Sequence, residues 1–506
     1  MSDKPATTAA PASSFLGKAG PLVLARLIAA GLTFCIPFVL ARVLVKEDYG
    51  TYFQLFLIAT TLYYVLPFGV VQSLYYFVPR AEEKRPWLGQ TLLYMSGAGL
   101  VAGALVWALL GPVARQFNNP ALLEHRAALA LYTAFIIGAF PLEVSLTSQG
   151  RTKHSALVYG VSEVMRTAAM VLPCLLGFGL RGMMLAVAGF AFLRYVVAWV
   201  VVPRGTGPLL RAGLWRQQLV YAAPFGLAMA VAIPQQNAHL YMVAGVVAPA
   251  LYAVYRVGCS QLPLVDLLYT PTSEVLMVRL GELENQGRLD EGVAAFREAA
   301  GKLAFVFLPF AAFLFAAAPE FIGTFYTAEY LAAVPIFRVS VLGVVLAILP
   351  MDGVLRARGH TRAILHSYLL KAAVTVPLVW VGVKQFGLMG AVVSWAVAEV
   401  VGKGALLVRV PRALSTPDRA LHLREVIPWR ELGKASLAAV AAAVGVFVLR
   451  AGTVHAWSSL PEGFIWRALP LALAGLLFSM GYVGVLYATG VRPLSVLASL
   501  RPRRAG

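Results

Sequence analysis

Long apolar runs follow one another down this chain, separated by short polar breaks. About twenty consecutive apolar residues cross a hydrocarbon core about 30 Å thick. The pattern predicts fourteen such segments, at residues 20–41, 50–77, 88–110, 126–148, 157–178, 181–202, 218–244, 249–278, 302–318, 333–355, 363–383, 386–408, 433–451 and 466–489. The short alternating segments of a transmembrane β-barrel, about ten residues each, are absent. The expected fold is an all-α polytopic membrane protein.

The polar breaks orient the segments. With the N-terminus on the cytoplasmic side, that side carries 27 of the 42 Lys and Arg, the outer side eight, and the spans seven. Lys and Arg concentrate in cytoplasmic loops, so both termini are expected there. The breaks also carry a repeat: PLEVSLTSQGRTK (141–153) returns as PMDGVLRARGHTR (350–362), and FGLRG (178–182) returns as FGLMG (386–390). Six spans separate equivalent positions, so the copies point the same way. Parallel repeats related by an axis along the membrane normal are a transporter architecture with the substrate site between the halves.

The predicted organisation is a tail at 1–18, a six-helix lobe at 19–204, a basic linker at 205–217, a second six-helix lobe at 218–410, a basic segment at 411–432, a helix pair at 433–490 and a tail at 491–506. The two lobes are expected to be pseudo-symmetric. Within the second lobe, 279–302 is expected to form an amphipathic surface helix. The N-terminal tail is polar, and the first apolar run is too long for a signal-peptide core, so no cleavage is expected.

Composition agrees: the chain has 506 residues, is 59% hydrophobic and 13% charged, and carries a net charge of +19. Soluble domains have about 25% charged residues. The basic excess belongs to the loops, and no soluble basic domain exists to bind nucleic acid. Cys35, Cys174 and Cys259 all lie in apolar runs, which implies neither a disulfide nor a metal framework. Outer loops are too short for a catalytic domain, and no nucleophile–base set stands out, so an enzyme is not expected.

Charges within spans each cost on the order of 2.5–3.5 kcal/mol at a helix centre, so each needs a cavity or a partner. Glu163 and Arg166, Glu399 and Lys403, and Asp352 and Arg356 stand three or four residues apart on shared helix faces. Arg26, Arg194, Arg256, Arg338 and Lys371 have no partner in their own helix. Arginine suits phosphate because its planar fork donates two parallel hydrogen bonds. The candidate anion-binding set is Arg26, Arg256, Arg166, Arg194 and Lys371, and the candidate coupling or gating set is Asp266, Glu143, Asp352 and Glu163. Structural ion pairs, helix-end hydrogen bonding at Glu143 and Asp352, and snorkelling at Arg338 and Lys371 are the alternative roles. The aromatic run at 49–77 either lines a glycan path or forms an interfacial belt. Prolines within spans of both halves predict kinked helices.

Five segments, in chain order LARVLVKEDYGTYFQ (40–54), LPFGVVQSLYYFVPR (66–80), SQGRTK (148–153), LVYAAPFGLA (219–228) and ARGHTR (357–362), the echo of the third, resemble the Wzx-type polysaccharide flippases. These belong to the oligosaccharide-lipid branch of the superfamily that also holds the MATE drug exporters. The resemblance covers nearly the whole chain. It implies an undecaprenyl-diphosphate-linked oligosaccharide moved to the periplasmic leaflet of a bacterial inner membrane by alternating access, for O-antigen, capsule or exopolysaccharide synthesis. A polysaccharide polymerase and chain-length machinery are the implied partners. No cofactor is expected, and coupling to H+ or Na+ stays open. Related lipid II flippases carry functional arginines in spans one, two and eight. Arg26 and Arg256 match the first and last, but span two has no basic residue before Arg80. The alternative is a MATE-like, cation-coupled exporter of organic cations, for which Asp266 and Glu163 would serve.

Overall fold

The computed structural model describes residues 31–204, 207–260, 262–416, 419–458 and 464–490. The described chain divides into two compact units, with the boundary at Ile233–Pro234.

The first unit contains α1 (Gly31–Val43), α2 (Lys46–Val65), α3 (Leu74–Phe77), α4 (Arg85–Gln116), α5 (Arg126–Gly138), α6 (Pro141–Ser148), α7 (Thr152–Leu175), α8 (Gly179–Val201) and most of α9 (Ala212–Ala244). Helix α5 packs against α4 and α8, and α7 packs against α8. Between α2 and α3 the chain unwinds. Phe68 (φ 47°) and Gly69 (φ 75°) take left-handed conformations just after Pro67. Sequence explains the site of the break: Pro67-Phe68-Gly69 meets a second copy, Pro224-Phe225-Gly226, on α9. A Cβ on Gly69 would stand 2.9 Å from a ring carbon of Phe225, and one on Gly226 would stand 2.5 Å from the ring of Phe68. The two motifs interlock because each offers a glycine to the other's phenylalanine.

Exposed backbone at membrane depth needs internal partners. Buried Gln218 of α9 donates to Ser73 Oγ at 2.8 Å and Thr91 Oγ1 at 2.7 Å, lies 3.3 Å from the Val70 carbonyl, and accepts from Gln90 at 2.7 Å. Gln218→Leu would orphan several of these groups, each worth about 1–3 kcal/mol. We expect it to lower the thermal midpoint of the purified protein by about 5 °C or more, measured by differential scanning fluorimetry.

The second unit contains the end of α9, then α10 (Pro249–Gly258), α11 (Pro263–Asn285), α12 (Gly292–Ala316), α13 (Ala318–Phe325), α14 (Val334–Val345), α15 (Met351–Ala357), α16 (Thr361–Leu407), α17 (Val410–Leu414), α18 (Leu423–Val426), α19 (Trp429–Ser458) and α20 (Phe464–Ala488). Helix α16 is two antiparallel arms joined at Gly387 (φ 59°, ψ −140°). Helices α19 and α20 pack against α12 and α13 through a small-residue seam that includes Ala316, Ala317, Ala438, Ala442 and Ala474. Small residues let helix backbones approach closely where water supplies no hydrophobic drive. An ion pair of 3.0 Å from Arg450 to Glu320 adds to the seam.

Ten helices among the described residues are long and apolar enough to cross a membrane. They differ from the fourteen apolar segments in identifiable places. The two arms of α16 count as one; α1 is described only from Gly31; and α2 and α11 fall outside those ten. The residues at 279–302 do not form a separate surface helix. They extend α11 and α12, which are joined by a turn at Gly287 (φ 70°).

The repeated motifs coincide with repeated geometry. Helices α6 and α15 each begin after a break in a span, each ends before a positive-φ glycine (Gly150, 78°; Gly359, 69°), and α7 and α16 begin two residues later. Gly179 and Gly387 both have φ 59°. At Gly182 and Gly390 a Cβ would come within 2.4 Å and 2.7 Å of the Cβ of Phe178 and Phe386.

Candidate functional site

Among the described residues, the intramembrane charges of the first unit lie on α6, α7 and α8. Glu143 enters in the first turn of α6, which Pro141 starts afresh, and Arg194 of α8 meets its carboxylate at 2.7 Å. Both side chains are at least 85% covered, at 15% and 11% exposed. The second carboxylate oxygen of Glu143 and Nε of Arg194 are buried without protein partners. On α7, Arg166 grips Glu163 at 2.5 Å and donates to Thr33 of α1 at 2.7 Å. The spacing-based pair Glu163–Arg166 is therefore formed, and Arg194 finds its acid on another helix.

The second unit holds a longer polar series. Lys371, on the first arm of α16, is ion-paired with Glu399 on the second arm. The expected Glu399–Lys403 pair is not made. The turn at Gly387 folds the arms together, and Gly402 leaves room for the Lys371 stem, since a Cβ there would lie 2.9 Å from Lys371 Cδ. Lys403 instead stands over the ring of Tyr269 at 5.2 Å. The hydroxyl of Tyr269 donates to Asp352, which also receives Arg356 at 2.7 Å. Asp352 and Glu143 thus each start a helix after a break and each meet an arginine, but from different sources: its own helix for Asp352, α8 for Glu143.

Arg256 lies near the end of α10, partly buried beside the fully buried Tyr252 and Tyr255, just before the break that separates α10 from α11. Asp266 follows that break in the first turn of α11 and is exposed; no ion pair reaches it among the described residues. A helix N-terminus stabilises a carboxylate there. Arg26 lies outside the described residues. Arg338 has local partners: its Nε donates to the Phe315 carbonyl at 3.0 Å, with the guanidinium 5.4 Å from the Phe315 ring. The aromatic run from Tyr49 is divided between core and surface. Tyr49, Tyr52 and Phe53 are buried, while Tyr64, Tyr75 and Tyr76 are exposed.

Sequence reasoning missed His239, whose Nδ1 lies 2.7 Å from the Tyr255 hydroxyl, and the Gln235–Thr375 contact at 3.3 Å. Their only signal was a polar residue in an apolar run. The three cysteines are free thiols. Among the described residues, no three His, Cys, Asp or Glu side chains could share a metal ion.

Residues 39–335 match the profile of a family described as polysaccharide biosynthesis proteins. The chain belongs to this family. Among solved structures, it is similar to that of the lipid II flippase MurJ in an inward closed conformation. The TM-score is 0.70 at 13% identity, covering 92% of this chain and 99% of that one. An inward-facing multidrug-resistance MATE family transporter of the MOP superfamily aligns with TM-score 0.59 and 14% identity, covering 78% and 98%. A mutant form of the Vibrio cholerae MATE transporter VcmN aligns with TM-score 0.54 and 11% identity, covering 79% and 96%. At these identities the likeness establishes the fold, a membrane-transporter fold shared with flippases and exporters. No curated protein sequence matches the chain.

Proposed function

We propose that this member of the polysaccharide biosynthesis family is a flippase for polyprenyl-diphosphate-linked oligosaccharide. It carries the repeat unit from the cytoplasmic to the periplasmic leaflet of a bacterial inner membrane by alternating access, with both termini cytoplasmic, and performs no bond chemistry of its own. The observation that carries this reading is the family match over 39–335 on a fold that aligns with a lipid II flippase over 92% of the chain. Arginines and lysines stand at five candidate positions in the spans. Arg166, Arg194 and Lys371 are bound to carboxylates and are assigned to the wall of the transport path. Arg26 and Arg256 are assigned to the diphosphate head. Asp266, Glu143, Asp352 and Glu163 are the candidates for gating or for H+ or Na+ coupling. A polysaccharide polymerase and chain-length machinery would take up the product.

Deleting the gene tests the reading. Lipid-linked oligosaccharide should accumulate on the cytoplasmic leaflet, read by leaflet-selective labelling of spheroplasts, and surface polysaccharide should fall. A second reading, a MATE-like exporter of organic cations, is favoured by the exposed acid Asp266. It predicts normal surface glycan and increased sensitivity to cationic drugs in the same strain.

A further inference from the structure

One cluster of the second unit carries more basic groups than acids. Around the Lys403 end of α16 stand Asp352 and Glu399, and three basic groups, Arg356, Lys371 and Lys403. Asp352 is committed to Arg356 and to the hydroxyl of Tyr269, and Glu399 is committed to Lys371. Lys403 keeps only an aromatic face, and among the described residues no carboxylate lies within ion-pair distance of it. Both acids act on it electrostatically, as does Lys371. The side chain is half-buried in the last turn and a half of the second arm. A lone ammonium in a spanning segment is expensive unless a counter-charge joins it, and a compact ammonium with three donors is a common phosphate ligand.

We propose that Lys403, backed by Tyr269 and the Asp352–Arg356 pair, is an anion site for a phosphate or diphosphate group. Arg356 neutralises Asp352, so that acid is not free to take Lys403, and Tyr269 is fixed by its hydrogen bond so that its ring face holds the ammonium in place. The site lies toward the end of α16 that leads into the basic segment at 411–432. On the flippase reading, on which the lipid assignment rests, this is the cytoplasmic side. A diphosphate head arriving from the cytoplasmic leaflet would be received here before it is moved.

The test uses the full-length protein in nanodiscs, with undecaprenyl diphosphate in the bilayer or inorganic pyrophosphate in solution as probes, and thermal unfolding as the readout. The wild-type chain should be stabilised, K403R should keep most of the shift, and K403Q should bind at least about tenfold more weakly. K302Q, which removes a partly buried lysine of α12 paired with the exposed Glu298, should behave as wild type. Stabilisation by the lipid alone identifies a lipid-borne phosphate; equal stabilisation by pyrophosphate identifies a site for the free anion. If K403Q is recovered in low yield, K403M repeats the charge removal with an apolar stem of similar length. Wild-type binding by K403Q or K403M overturns the proposal, as does the absence of a shift for the wild-type chain with both probes. Binding that depends on Lys403 in a protein whose deletion leaves lipid-linked glycan evenly exported would preserve the site and defeat the flippase reading.

Discussion

Glu143→Ala is expected to deplete the folded protein, because it strands the buried guanidinium of Arg194. The pair is 2.7 Å long with both side chains mostly covered. Removing one partner of a buried pair costs about 3–5 kcal/mol, far more than the net value of the pair itself. That is a large part of a typical stability of about 5–15 kcal/mol. The single variants E143A and R194M should each lower membrane abundance and the unfolding midpoint in detergent, E143A most sharply because it leaves the guanidinium buried without its acid. The double variant E143A/R194M, which removes both charges and keeps an apolar stem at 194, should recover most of the loss. A double variant no better than the worse single one would show that the two side chains do not act as a pair. The measurement is a double-mutant cycle on the unfolding midpoint, with immunoblotting of membranes for abundance.

Arg256→Ala is expected to behave in the opposite way, abolishing glycan export while the protein stays abundant. Arg256 is partly buried at the end of α10, where the chain breaks before α11 begins. Broken helices at membrane depth are tolerated where they are buried in protein or line a water-filled cavity. A charged hydrogen bond to a phosphate is worth about 1.5–3 kcal/mol, which corresponds to roughly a 10- to 150-fold loss of head-group affinity. R256K should retain part of the function, because it keeps the charge and loses the planar fork. Complementation of the deletion strain, scored by surface polysaccharide against membrane abundance, is the measurement. Wild-type export from R256A would remove this residue from the transport site.

Much of the fold was legible because its signals are local. Apolar runs, charged loops and the two copied motifs depend on residues near one another in sequence. Gly150 and Gly359 repeat because each helix exit needs a left-handed residue. Gly179 and Gly387 repeat because each hairpin between spans needs one too. The site was less legible. Spacing alone nominated Glu399 and Lys403 as a pair, but four residues along a helix only makes them neighbours, and Lys371 arrives from the other arm with a better approach. Arg194 had no acid in its own helix and acquired Glu143 from α6. The buried network around Gln218 joins residues more than a hundred positions apart and left no periodic trace.

Unaided, the order of residues in this chain determined that it spans a membrane as helices, where the breaks between many of them fall, and that the same motifs shape equivalent breaks in its two halves, because hydrophobicity and backbone conformation are properties of short segments. The tertiary structure decided which charges neutralise each other, which aromatics are core and which lysine is left over. Those outcomes depend on which helices touch, and in a low-dielectric interior the nearest opposite charge captures a carboxylate regardless of its distance along the chain.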